Sequence, residues 1–151
     1  MDVQTGVRER DEQCCIELWL SALQGRDGEV DENRVRDRAR AKFERPIIRF
    51  AVLGPEPIGF ALTVETTERV AVLELLAVSP DTVGRGCGTA LLVDAVNSTQ
   101  LAGYQQIELQ VRAGNSRAIG LYRSIGFERT GRVHEHPLGG DAMVTFARAL
   151  T

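Results

Sequence analysis

Val70-Ala71-Val72-Leu73-Glu74-Leu75-Leu76-Ala77-Val78, followed by Ser79-Pro80-Asp81-Thr82-Val83-Gly84-Arg85-Gly86-Cys87-Gly88-Thr89 and then Ala90-Leu91-Leu92, is the stretch on which the fold turns. Its first nine residues are almost continuously apolar, as a central strand covered on both faces requires, and Glu74 interrupts them. After the glycines, Leu91, Leu92, Ala95, Val96 and Thr99 recur at helical spacing as far as Gly103. Ile107, Leu109 and Val111 then alternate as a second strand, so the order is strand, loop, helix, strand with the two strands parallel. Three alternate glycines, Gly84, Gly86 and Gly88, remove the Cβ atoms that would keep a ligand off the backbone. A helix starting there adds about half a positive charge and unpaired N–H groups, which suits a phosphate or pyrophosphate. Arg85 adds a full charge beside them.

Upstream, a short strand near Val3 to Arg8 leads to Asp11, which can cap a helix carrying Cys15, Leu18, Trp19, Ala22 and Leu23 on one face. Gly25 to Glu29 reads as a break. Asp31 to Arg45 reads as a second helix with a narrow apolar stripe of Val35, Ala39 and Phe43, ended by Pro46. Ile48, Phe50 and Val52, then Ile58, Phe60, Leu62 and Val64, form two alternating runs across Gly54-Pro55-Glu56-Pro57, a hairpin. Downstream, Asn115 can cap a helix with Ala118, Leu121, Tyr122 and Ile125 on one face, closed by Gly126. Phe127 to Val133 and Ala142 to Ala149 form a last antiparallel pair across Gly139-Gly140. The expected fold is α/β (α+β) with a mixed sheet of six or seven strands and about four helices.

The 151 residues, 43% of them hydrophobic, fit one domain over residues 1–151 with a core that needs no staples. A formal charge of −3, from 21 acidic and 18 basic residues, offers no broad positive field for a phosphate backbone, so nucleic acid is not an expected partner. Cys14, Cys15 and Cys87 form no CxxC pair and two His cannot complete a zinc cluster, so no metal is expected. No run reaches the roughly 18 apolar residues of a membrane span, and Met1 to Thr5 shows no leader pattern, so a cytoplasmic location without membrane attachment is expected. The basic run Arg34, Arg36, Arg38, Arg40, Lys42 and Arg45 is mixed with Asp31, Glu32, Asp37 and Glu44 and reads as a solvated helix face. Cys87 reads either as a reactive thiol at a helix start or as a small residue packed under the glycines.

The glycine spacing G-x-G-x-G departs from the dinucleotide pattern G-x-G-x-x-G and lacks the G-K-[ST] ending of a nucleotide loop. Taken with a second block, Asn115-Ser116-Arg117-Ala118-Ile119-Gly120-Leu121-Tyr122-Arg123-Ser124-Ile125-Gly126-Phe127, the stretch from Leu73 to Leu92 resembles the GNAT superfamily of acetyl-CoA-dependent N-acetyltransferases. The C-terminal half is similar to the ribosomal-protein N-terminal acetyltransferases, notably in Gln110 to Asn115 and Asp141-Ala142-Met143. The resemblance implies acetyl-CoA as co-substrate, its pyrophosphate on the loop Val83, Gly84, Arg85, Gly86, Cys87, Gly88 and Thr89. It implies that the strand end Leu76, Ala77 and Val78 pairs with the pantetheine arm, the Val78 amide polarising the thioester carbonyl. Asn115 matches a residue that contacts that arm, and Tyr122 matches the usual general acid. Val83 stands where the family usually has Gln or Arg.

An alkyl amine with a pKa of about 10 must lose a proton before it attacks a thioester, and the departing thiolate gains from a donor. Tyr122 is the expected donor. In the similar N-terminal acetyltransferases a Glu often stands where this chain has Gln110, which cannot take a proton. Glu74 and Glu108 remain as bases acting through ordered water, and Glu74 is the expected catalytic one. The expected acceptor is a small-molecule amine or a peptide N-terminus, although Glu135-His136 replaces the Tyr pair common in enzymes that take peptides. His134 and His136 are near the acceptor mouth in this reading, and a homodimer is left open. The alternative is an acyl-CoA-binding regulatory module without catalysis.

Overall fold

A computed structural model describes residues 2–82, 84–134 and 142–150. Val83, Glu135, His136, Gly139, Gly140 and Asp141 lie outside the described residues, as does the side chain of His134. The elements run β1 (Val3–Thr5), α1 (Arg8–Asp27), α2 (Glu32–Phe43), β2 (Ile47–Leu53), β3 (Gly59–Thr67) and β4 (Val70–Val78). They continue with α3 (Cys87–Leu101), β5 (Gln106–Arg112), α4 (Ser116–Ser124), β6 (Glu128–His134) and β7 (Met143–Ala149). The strands form one sheet in the order β1-β2-β3-β4-β5-β7-β6. β4 and β5 pair in parallel and the other neighbours are antiparallel. The expected βαβ unit is therefore present, with α3 as its crossover.

Two apolar layers hold this sheet. On one face α3 and α4 cover Ala71, Leu73, Ile107, Leu109 and Val111, with Leu91, Leu92 and Phe127 fully buried among them. On the other, α1 and α2 cover Phe50, Val52, Phe60, Leu62, Leu75 and Ala77. Phe43, Phe50 and Phe60 meet edge to face at centroid distances of 5.0 and 6.5 Å, a geometry that adds about 0.5–1.5 kcal/mol per pair beyond burial.

Three local expectations change. Helix α1 starts at Arg8, not after Asp11, because Asp11 caps from inside: its carboxylate reaches back to accept the Val7 N–H at 2.8 Å. It also runs through Gly25 to a Gly28 cap, where a break was expected. Ile48 packs with the α3 layer, away from Phe50 and Val52, since a bulge between Ile47 and Arg49 shifts the side-chain phase.

The bulge that matters most is in β4. Leu62 pairs with Leu75 and Thr63 with Leu73, so Glu74 is an extra residue without a partner on β3. One extra residue inverts the alternation: Ala71 and Leu73 face α3 before it, Leu76 and Val78 after it. The parallel ladder with β5 runs from Val70 opposite Gln106 to Leu73 opposite Leu109 and goes no further. Both strands continue beyond that point, β4 to Val78 and β5 to Arg112, and a gap opens between them.

Candidate active site

The gap is a cleft of about 700 Å³ that passes between the two halves of the sheet. On the α3 face it is bounded by the glycine loop and by Asn115, Ala118, Leu121 and Tyr122 of α4 and its cap. On the other face it is bounded by Trp19 and Ala22 of α1 and by Val35, Arg38, Ala39 and Lys42 of α2. Residues Leu73 to Val78 and Leu109 to Arg112 form its walls.

Backbone groups supply much of the chemistry. Ser79 N–H donates to Ile58 O at 2.7 Å, which by antiparallel alternation turns Ala77 and Leu75 toward β3. The polar groups of Leu76 and Val78 then point the other way, into the gap beyond the last β4–β5 pair. At the mouth, Gly84 and Gly86 have φ of +88° and +82°, values that other residues adopt only with strain. A Cβ on either would meet nothing within 4 Å, so a surface of bare backbone faces open space. Gly86 caps α3 with no side chain to bond its first amides, and the first helical return is Ala90 N–H to Gly86 O at 3.0 Å. The N–H groups of Cys87, Gly88 and Thr89 precede that bond and border the cleft. A diphosphate fits this cradle, which provides donors and excludes side-chain bulk.

The predicted residues come together with few exceptions. Leu76, Ala77, Val78, Gly84, Gly86, Cys87, Gly88, Thr89, Asn115, Tyr122 and Glu74 all line the one cleft. Arg85 is exposed and lies outside the lining. Cys87 is buried among the apolar residues of the α3 layer, which favours the packing reading over a reactive thiol. Asn115 has a structural task as well: its side chain accepts the Ala118 N–H at 3.2 Å and caps α4.

Tyr122 sits on α4 with its ring 6.2 Å from that of Phe127, and among the described residues its hydroxyl has no hydrogen-bond partner. Burial pushes its phenol above the usual range, with Arg26 pulling weakly the other way, so the group stays protonated at neutral pH. Glu74 is the one carboxylate among the described residues of the lining. Its Oε2 accepts from Arg45 at 2.6 Å and its Oε1 from Lys42 at 3.3 Å, which ties the end of α2 to the bulge. A carboxylate offers about four lone-pair directions, so two remain for a ligand or water. Glu108 lies outside the lining, bonded to Gln106 Nε2 at 3.0 Å and paired with Arg132. Gln110 does line the cleft.

Sequence reasoning missed Trp19, Arg38 and Lys42. The α2 stripe of Val35 and Ala39 was the available signal, because a helix that buries these two turns the neighbouring positions along the same edge. No group of three or more metal-ligating side chains occurs among the described residues. No helix among them is long and apolar enough to cross a membrane.

A sheet split beside a side-chain-free helix start, with a phenol on the same cleft, defines a cleft whose mouth suits an anionic group and whose far wall is formed by α1 and α2. The sequence profile of the Acetyltransferase (GNAT) family matches residues 12–127, and the chain belongs to that family. It is 39% identical over 80 residues to the [ribosomal protein bS18]-alanine N-acetyltransferase of Escherichia coli K12, over 52% of this chain and 53% of that one. It is 41% identical over 54 residues to the mycothiol acetyltransferase of Kocuria rhizophila, over 36% of this chain and 18% of that one. The chain thus spans about half the length of the curated ribosomal-protein relatives it matches. The Escherichia coli ribosomal-protein-S18-alanine N-acetyltransferase structure superposes with a TM-score of 0.78 at 21% identity, covering 99% of this chain and 94% of that one. The yncA structure from Salmonella typhimurium, solved with its cofactor acetyl-CoA, gives 0.73 at 16% identity, covering 100% and 94%. Both share the fold.

Proposed function

We propose that this chain acts as one domain that transfers an acetyl group from acetyl-CoA to a primary amine of a small molecule or a peptide N-terminus. The observation that carries this reading is the single cleft joining the cradle of Gly84 to Thr89 on one face to the α1–α2 wall on the other. Acetyl-CoA would supply an acyl thioester, and the loop amides would hold its diphosphate. Leu76 and Val78 would pair with the amide-bearing arm as an added strand does, and the Val78 N–H would polarise the thioester carbonyl.

In this reading the amine nitrogen attacks the carbonyl carbon directly, the C–S bond breaks, the amine loses one proton and the sulfur gains one. Glu74 takes the amine proton through an ordered water. Tyr122 donates to the sulfur, a role supported by the burial that keeps its phenol protonated and by a hydroxyl without a partner among the described residues. A cytoplasmic location fits three free cysteines, of which Cys14 is exposed.

Gln110, where a carboxylate base was expected, favours one second reading, an acyl-CoA-binding regulatory module. One experiment separates them: acetyl-CoA is titrated by calorimetry, then incubated with an amine panel while free thiol is followed. Transfer to some amine, with tight binding, supports the enzyme. Binding with no transfer to any amine supports the module, and no binding overturns both.

A further inference from the structure

The chain carries a net charge of −3, yet the acceptor side of its cleft is cationic. Arg26 and Arg112 border it and share one carboxylate, Asp27, at 3.2 and 3.0 Å. Lys42 borders it and shares Glu74 with Arg45. Arg38, one helical turn before Lys42, borders it half-buried and has no carboxylate partner among the described residues. Among the described residues, Arg38 is thus the cation of this group left without a carboxylate.

These charges lie on the α1–α2 face, across the sheet from the phosphate cradle, so they do not serve the phosphates. Arg117, at the start of α4 on the cradle's side, is placed for that task. Around Arg38 the wall is Trp19, Ala22, Val35 and Ala39, which present mainly apolar surface. An apolar amine filling this space would strip water from Arg38 and leave its charge without a partner, which is costly. A ligand with one planar anion satisfies it, since a guanidinium binds a carboxylate through two parallel N–H donors. One uncommitted cation matches a monoanion better than a dianion.

Resting on the acetyltransfer reading above, we infer that the acceptor is a small aminocarboxylate, its carboxylate held by Arg38 and its amine turned toward Glu74. The cleft size agrees, because about 700 Å³ shared with the carrier arm leaves room for a compact acceptor.

The test compares amino acids with their own carboxamides by steady-state thiol release, in the parent, R38M, R38K and R40M, after acetyl-CoA binding has been checked by calorimetry. Arg40 is exposed and paired with Asp37, so R40M serves as a control for charge alone. Acid and amide differ in amine basicity, so the quantity read is the acid-to-amide ratio of kcat/KM across variants. That ratio is expected to fall roughly 10- to 100-fold in R38M, through KM of the acid, to recover in part in R38K, and to hold in R40M. Met keeps helix propensity, and a melting curve checks that R38M is folded. An unchanged ratio in folded R38M, or a peptide N-terminus preferred over every free amino acid, overturns the inference while transfer stands. A chain that binds acetyl-CoA and acetylates nothing overturns both.

Discussion

Replacing Tyr122 with Phe removes one oxygen and little else. The ring's contact with Phe127 at 6.2 Å is kept, and no described hydrogen bond is lost because the hydroxyl has no partner among the described residues. Stability should therefore stay within about 0.5 kcal/mol of the parent, as for a substitution that neither opens a cavity nor strands a polar group. Rate should not. A positioned general acid contributes about 10²–10⁴-fold, and the lower end applies, because a thiol of pKa about 8.5 leaves moderately well unaided. A fall of about 100-fold in kcat is expected, with the acetyl-CoA affinity held within about threefold. The assay is thiol release across pH, using saturating acetyl-CoA. Because burial raises the Tyr122 phenol, the parent should show no loss of rate from its ionisation below about pH 10. A kcat within threefold of the parent in folded Y122F would refute the acid role.

Further outcomes follow from the same geometry. Glu74→Gln should lower kcat/KM about 100-fold by thiol release; a value within threefold of the parent would reduce Glu74 to a clamp for Lys42 and Arg45. Gly86→Ala places a side chain at φ +82° and should cost about 1–2 kcal/mol by thermal or urea unfolding, with acetyl-CoA affinity weakened tenfold or more as a methyl enters the cradle. Asp11→Ala removes the acceptor of the Val7 N–H and should cost about 1–2 kcal/mol at pH 7. Arg10 and the Val7 amide hold the Asp11 carboxyl below its usual range, so its contribution is present above the unfolded value near 4 and disappears as pH falls through the lower folded value. The stability gap between parent and D11A should therefore close on acidification, which urea titrations from pH 7 to pH 2 would measure.

The cradle was legible because it depends on residue type at fixed spacing: Gly84, Gly86 and a helix start can be read without coordinates. The cleft was not, because its cause is a phase change inside an apolar run. With Val72, Leu73, Leu75 and Leu76 all apolar, alternation has no visible phase, and only Glu74 marks the bulge where β4 leaves β5. Asp11 resembled a cap in front of a helix because the sequence shows the residue type but not whether its carboxylate reaches forward or back. Arg38 and Lys42 were hidden among similar charges on α2. Which of them meets solvent and which the cleft is decided by how Val35 and Ala39 seat the helix on α1 and the sheet, a tertiary matter.

The proposed arrangement is one cleft with acetyl-CoA on the Gly84–Thr89 side and an amine on the α1–α2 side. Mass spectrometry of products from an amine panel, run with acetyl-CoA and the parent chain beside Y122F, tests it most directly. At least one primary amine is expected to gain a single acetyl group with an equal release of free thiol, about 100-fold slower in Y122F. Thiol release without an acetylated amine, or equal rates in the two proteins, would contradict it.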